Sequence, residues 1–277
     1  MTIEELEVRR SKRWRWRPEL ALDSEEEMLG FVDDMGFCLV DQKKNVPLPS
    51  LARAIDDAGS PRRSPEVNEL LSSFWDTYRP KKKVLEWNCF FQSISAVSVK
   101  YLPLLYAVVG DRRPDRDYRA QFREKRLTLQ DVRVYEMILQ SGPITWRELR
   151  VAHNAWQKKQ VAALELSLQR LWKGLKILRV AASNGKGSQW QATCSWDVRL
   201  LKRSLVWSRQ EALQHLILHY VDIAIAVSRR EIQRVFHGLA DSSAINAAVN
   251  QLFLASLLDV DPTLVLHGKK AIVRKVR

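Results

Sequence analysis

From residue 158 to 175 the apolar side chains Val161, Leu164, Leu168, Leu171, Trp172 and Leu175 recur at the spacing of one helical face. Two helices are predicted just before it. Thr128 caps the first, which carries Val132, Tyr135, Met137, Ile138 and Leu139 and stops at Ser141-Gly142-Pro143. Thr145 opens a short second one through Val151, with Glu148 three residues on completing a capping box. After the long helix, residues 177–180 and 190–198 read as two strands around the tip Asn184-Gly185-Lys186-Gly187. The same order then recurs. Residues 208–218 predict a helix and 223–227 a short apolar link. Ser228 with Glu231 boxes a short helix to Phe236, and Gly238 stops it. Asp241 or Ser242 caps a third helix carrying Ile245, Val249, Leu252, Phe253 and Leu257. Strands at 263–266 and 271–276 close the set around His267-Gly268-Lys269-Lys270. Helix, short helix, long helix, hairpin is the order of a winged helix, and its repetition predicts a tandem pair.

The first half has weaker periodicity. Residues 1–18 predict a short helix running into a basic stretch. Asp23 or Ser24 caps a helix carrying Met28, Phe31 and Val32 that ends near Gly36, and residues 37–40 form a short apolar run. Ser50 caps a helix through Ile55, residues 56–66 read as a loop, and helices are expected at 65–78 and 93–109. The polar, Pro-bearing stretch 111–117 reads as an exposed boundary. The predicted class is α+β and helix-rich, built of tandem winged-helix units. Its divisions are a basic N-terminal arm at 1–18, a helical region at 19–118, and winged helices at 119–203 and 204–277.

Composition removes several classes. Over 277 residues, 46% are hydrophobic and 28% charged, which is globular rather than disordered. Three well-separated cysteines, Cys38, Cys89 and Cys194, exclude a disulfide-stapled scaffold and any CxxC site. Neither phosphate-cradling glycine motif occurs, and no cofactor is expected. His215 and His219 share an i, i+4 spacing but lack the Glu of HExxH and a third ligand, so the expectation is a structural role and no metal. No apolar leader opens the sequence and the most apolar stretch, 87–109, is broken by Lys100 and Pro103. A soluble cytoplasmic protein, without a membrane partner, is the expectation.

Charge adds a direction. Lys and Arg number 45 against 32 Asp and Glu, a net charge of +13 that favours polyanionic partners. The sharpest run is 9–17, where Arg9, Arg10, Lys12, Arg13, Arg15 and Arg17 alternate with Trp14 and Trp16. Arginines there can clamp phosphates while the indoles stack on or wedge between bases. Equally, the indoles can pack on the body with the arginines facing water; the run is short and too weakly apolar for a membrane anchor. Lys81, Lys82 and Lys83 form a second cluster, which lines a basic groove or sits on a loop. In the repeated units the candidate DNA contacts are Lys158, Lys159 and Lys186 in the first, and Asn246, Asn250, Lys269 and Lys270 in the second. Lysines neutralise phosphates and Asn reads adenine edges. Surface Lys and Asn also mark any solvated helix, and Glu165 has the wrong sign for a groove. No catalytic set can be assembled from residue order.

Three further stretches carry a family resemblance: residues 24–39 (SEEEMLGFVDDMGFCL), 46–51 (VPLPSL) and 101–107 (YLPLLYA). With the repeated units they make the chain resemble the AlkZ-like winged-helix proteins, relatives of bacterial DNA glycosylases that unhook interstrand crosslinks. The resemblance implies stacked winged-helix units with a concave basic surface facing duplex DNA, and a further, degenerate unit within 20–118. It also implies where catalysis would sit: active glycosylases carry Gln-x-Gln or Gln-x-Asp on a strand after the first helix. The matching stretch, 35–42, has no such pair; Gln189-Trp190-Gln191 has the letters but lies in a wing of another unit. Cys89-Phe90-Phe91-Gln92 stands where these relatives tend to be basic. The expectation is a non-catalytic DNA-binding protein linked to repair, with a glycosylase acting on alkylated or crosslinked bases, or a protein-interaction scaffold, as alternatives.

Overall fold

Helices start where the sequence supplies a hydroxyl or carboxylate for the unpaired N–H groups of a first turn. In the computed structural model, which describes residues 1–56, 63–181 and 187–275, Thr2 caps α1 (Ile3–Arg13) and Ser24 caps α2 (Glu25–Met35). Strand β1 (Phe37–Leu39) follows, then α3 (Leu51–Ile55) capped by Ser50 and α4 (Pro65–Tyr78) capped by Ser64. Strands β2 (Val84–Trp87) and β3 (Ser95–Ser98) form a hairpin. Helices α5 (Leu102–Val109) and α6 (Asp117–Arg123) lead to α7 (Leu129–Ser141), β4 (Ile144–Thr145), α8 (Trp146–Ala152), α9 (Lys158–Lys173) and the hairpin β5 (Ile177–Ala181) with β6 (Ser188–Ala192). Short helices α10 (Thr193–Trp196) and α11 (Val198–Leu205) precede α12 (Arg209–Ala224), β7 (Ala226–Val227), α13 (Arg229–Phe236), α14 (Ser242–Leu254) and the hairpin β8 (Leu258–Leu266) with β9 (Lys269–Arg274).

One topology occurs three times: helix, short strand, short helix, long helix, hairpin. Each copy closes a three-stranded antiparallel sheet in which the hairpin's second strand lies between its first strand and the short strand: β1-β3-β2, β4-β6-β5 and β7-β9-β8. The two repeats read from the periodicity are present. The copy over 24–98 has the same pairing. It differs from the sequence expectation of a helix over 93–109, where the chain forms β3 and starts α5 only at Leu102. Pairing with β1 and β2 holds residues 95–98 in β3, and Pro103 falls in the first turn of α5, where its missing N–H costs no hydrogen bond. Likewise residues 193–196, expected in a strand, form α10.

The copies share a core. Helix α5 is apolar all round and buried against α11 and α12. Between the first and second copies, the Trp87 indole N–H donates to Trp172 O (2.9 Å) and the Trp172 N–H to Glu86 O (3.1 Å). Between the first and third, Phe37, itself stacked on Phe90 of its own copy, meets Phe236 edge-on, and the Tyr220 hydroxyl donates to Pro47 O (2.9 Å). Gly36 ends α2 at φ +71°, and a Cβ there would lie 2.9 Å from His219 Nε2, so both backbone and space require glycine. Residues 111–117, expected exposed, are partly inside: Asp111 is buried against Lys176, and Arg112 donates to Trp207 O (2.7 Å). Among the described residues no helix is long and apolar enough to cross a membrane.

The caps set an acid limit on stability. Hydrogen bonds from Thr145 and Ser208 hold the Glu148 and Glu211 carboxyls below the ordinary 4.5. Burial holds the His153 and His219 imidazoles below 6.5. All four groups bind a proton more readily unfolded than folded, so each favours folding above its ordinary value and loses that contribution as pH falls through its lowered one. Thermal melts taken from neutral pH downward are expected to fall in two stages, below 6.5 and again below 4.5. Glu148→Gln with Glu211→Gln removes part of the second stage only; an unchanged acid limb in that variant contradicts the assignment.

Candidate nucleic-acid interface

The N-terminal helix has two working faces. Leu6, Arg10 and Trp14, four residues apart, point inward. Leu6 packs with Ala226, Leu264 and Ala271, so α1 covers the sheet of the third copy. Arg10 is 7% exposed. Its Nε donates to Ala224 O at the end of α12 (2.9 Å), another guanidinium N–H donates to Ala226 O, and Glu231 lies 3.6 Å away. Its donors are therefore committed inside the protein, not to a ligand. Trp14 is buried with its N–H on Ile223 O (2.9 Å), and Trp16 stacks edge-on to Trp14 beneath the Arg53 guanidinium. The tryptophans pack on the body, as one of the two sequence readings had it, and neither is presented for stacking on bases. Segment 1–18 is a helix and turn docked on the third copy.

The second face is cationic. Arg9, Lys12 and Arg13 lie at i, i+3 and i+4 on α1, and Arg15 follows in a left-handed turn (φ 55°). These four line one groove of about 530 Å³, whose other wall is Leu20, Phe31, Asp34, Met35 and Ile225. Among the described residues, four cations thus face a single carboxylate in one concavity. Field lines from such a cleft concentrate on an incoming anion. Arg17 stands aside, bonded to Ser11 Oγ (3.2 Å) and close to Glu19 (3.7 Å).

The groove adjoins a half-buried hydrogen-bonded pair, His219 and Tyr101. His219 Nε2 is 3.0 Å from Met35 O, which can only accept, so the proton sits on Nε2 and Nδ1 accepts from the Tyr101 hydroxyl at 3.0 Å. Two nearby acids are paired, Asp33 with Lys100 (2.8 Å) and Ser98 (2.5 Å), and Asp222 with Arg274 (3.0 Å). His215 instead meets the Trp207 ring. Among the described residues, no three His, Cys, Asp or Glu side chains gather as a metal site.

The other sequence candidates are dispersed. Lys81, Lys82 and Lys83 are exposed on the turn between α4 and β2, and Lys82 is tied to Trp196 O (2.5 Å). Lys158 and Lys159 are exposed at the start of α9. Asn246 and Asn250 lie on the outer side of α14, but their side-chain oxygens accept from Gln233 and Arg229 of α13, each at 2.9 Å. Lys269 and Lys270 are exposed and, being adjacent in β9, point to opposite faces of the sheet. Lys186 lies outside the described residues. The exposed side of α14 is uncharged, with Ser243, Asn246, Ala247, Asn250, Gln251 and Leu254.

Strand β1 occupies the place, after the first helix of the first copy, where the resemblance puts a catalytic pair. Phe37, Cys38 and Leu39 are all buried there, and burial pushes the Cys38 thiol above its ordinary range. None of them offers a polar group to a water molecule or a sugar.

A family model described as AlkZ related matches residues 22–237, from the lead into α2 to the end of α13. The chain belongs to the AlkZ-related family. Its fold is similar to that of the Streptomyces sahachiroi DNA glycosylase AlkZ, with a TM-score of 0.58 and 13% identity over 99% of this chain and 70% of that one. At such identity the likeness is one of fold. No curated protein matches the sequence. In this AlkZ-related chain, α1 lies outside the matched residues, so the groove joins a wall from the family region, Phe31, Asp34 and Met35, to cations from outside it. Sequence reasoning missed that wall and Ile225; the i, i+3, i+4 spacing of Arg9, Lys12 and Arg13 was its one available signal.

Proposed function

We propose that this AlkZ-related protein, built of three winged-helix units, binds duplex DNA and does not itself cleave glycosidic bonds. The groove of Arg9, Lys12, Arg13 and Arg15 carries the reading, because four converging cations against one carboxylate suit a phosphate backbone. The thrice-repeated helix–hairpin topology supports the winged-helix units, and the fold shared with a DNA glycosylase supports the link to DNA and its repair. The wholly apolar, buried β1 supports binding without chemistry, since hydrolysis at an anomeric carbon needs a polar group to orient water. On this reading the protein acts in the cytoplasm, with the nucleoid. Because Asn246 and Asn250 are engaged by α13 and the outer side of α14 is uncharged, α14 supplies little phosphate contact; that neutral face favours, as a second reading, a protein partner there.

The test is a salt titration of binding to a short duplex, run beside an abasic-site assay on alkylated and crosslinked duplexes. The expected result is a log–log slope near −0.9 for each phosphate neutralised, about −3.6 if all four cations engage, and no abasic product. A flat salt response overturns the binding reading. Abasic product replaces it with the glycosylase reading.

A further inference from the structure

We propose that the cleft between α9 and the hairpin β5–β6 receives a single unpaired nucleobase, with the sugar and phosphate left outside; this rests on the DNA-binding reading above. The cleft holds about 450 Å³, within the range of roughly 300–1,000 Å³ typical of small-ligand sites. One wall is a stripe of α9 at i, i+3, i+4 and i+7: Glu165, Leu168, Gln169 and Trp172. The other is one face of the hairpin, where Arg179 pairs directly opposite Trp190 with Ser188 beside them, and Trp146 from α8 completes the lining.

Three indoles converge there, and two are fixed against each other. The Trp172 and Trp190 rings meet edge-on with centroids 5.5 Å apart, and the Trp172 N–H is anchored on Glu86 O. Such walls suit a flat π-system. The rim then selects among flat or apolar ligands. Arg179, donating to Ser188 Oγ (2.9 Å from its nearer nitrogen) and 3.4 Å from Glu86, opposes a quaternary ammonium. Glu165 opposes a phosphate. A neutral ring with donors and acceptors along one edge satisfies both, meeting the Gln169 carboxamide and the Glu165 carboxylate, as an unstacked base does. The site sits between the long helix and the hairpin of the middle unit, the two elements a winged helix lays on duplex DNA. A base turned out of the stack there has a short path into it.

The experiment uses the full chain and three probes: a paired duplex, the same duplex carrying one unpaired 2-aminopurine, and free 2-aminopurine riboside. The expected result is about tenfold tighter binding of the bulged duplex, the scale of one base–indole stack, with quenched aminopurine emission. Trp146→Ala and Trp190→Ala are expected to abolish the preference while paired-duplex binding stays within about twofold, and Trp146→Phe to retain it. Gln169→Trp, at an exposed position, fills the cleft without disturbing the core and abolishes the preference independently. Equal binding of paired and bulged duplex overturns this proposal alone. Loss of both overturns the DNA-binding reading with it. A preference that survives Gln169→Trp places the base elsewhere, and quenching of the riboside without a bulge preference makes the cleft a site for free nucleosides.

Discussion

Asp111→Ala is expected to cost about 3–5 kcal/mol of stability, because it leaves a charge buried without its partner. The Lys176 ammonium donates to both Asp111 oxygens, at 2.7 and 2.6 Å, and the two side chains are only 5% and 4% exposed. Burial pulls the Lys176 ammonium below its ordinary range, and the Asp111 carboxylate is what opposes that pull. Gln121 adds a third contact to Asp111 at 2.8 Å. Removal of Asp111 leaves Lys176 to deprotonate or to draw in water, both at the junction of the first two copies of the fold. Thermal and denaturant unfolding should register the loss, with a melting temperature lower by on the order of 10 °C. The double variant Asp111→Leu with Lys176→Met is expected to recover most of it, since apolar side chains of similar size need no partner. A single variant that melts with the wild type would mean that water already reaches the pair.

That pair also shows where sequence reading stops. Asp111-Arg112-Arg113-Pro114 reads as an exposed linker because nothing local distinguishes a charge that faces water from one that faces a lysine sixty-five residues on. Periodicity did locate the two C-terminal repeats, because their helices carry apolar faces at 3.6-residue spacing and their capping boxes, Thr145 with Glu148 and Ser228 with Glu231, form as read. The first repeat was concealed by its hairpin. Ser95-Ala96-Val97-Ser98 is buried on both faces and so lacks alternation, and it runs into the apolar α5 without a turn signal. At the site, the basic run was conspicuous, but composition gave all six cations equal weight. Only the helix phase separates Arg10, drawn inward to the end of α12, from Arg9, Lys12 and Arg13 on the neighbouring face.

This separation yields the second large effect. Replacing Arg9, Lys12, Arg13 and Arg15 together with Ala is expected to weaken duplex binding on the order of a hundred- to a thousandfold at low salt and to flatten the salt slope by up to about 3.6. The loss should be similar for unrelated duplex sequences, because phosphate contacts position a protein without reading bases. Three of the four side chains are exposed and Arg15 is half-buried, so the variant should fold and melt close to the wild type. Arg10→Ala provides the opposite control. It strands Glu231 and two backbone carbonyls and should lower the melting temperature, yet leave the salt slope unchanged wherever the protein is folded. Anisotropy titrations at several salt concentrations distinguish the two outcomes. If the quadruple variant kept the wild-type slope, the cations of α1 would be a solvated face and the DNA contacts would have to come from Lys158, Lys159 and the hairpin lysines. If Arg10→Ala alone flattened the slope, docking of α1 onto the third copy, rather than the charge in the groove, would be what the DNA requires.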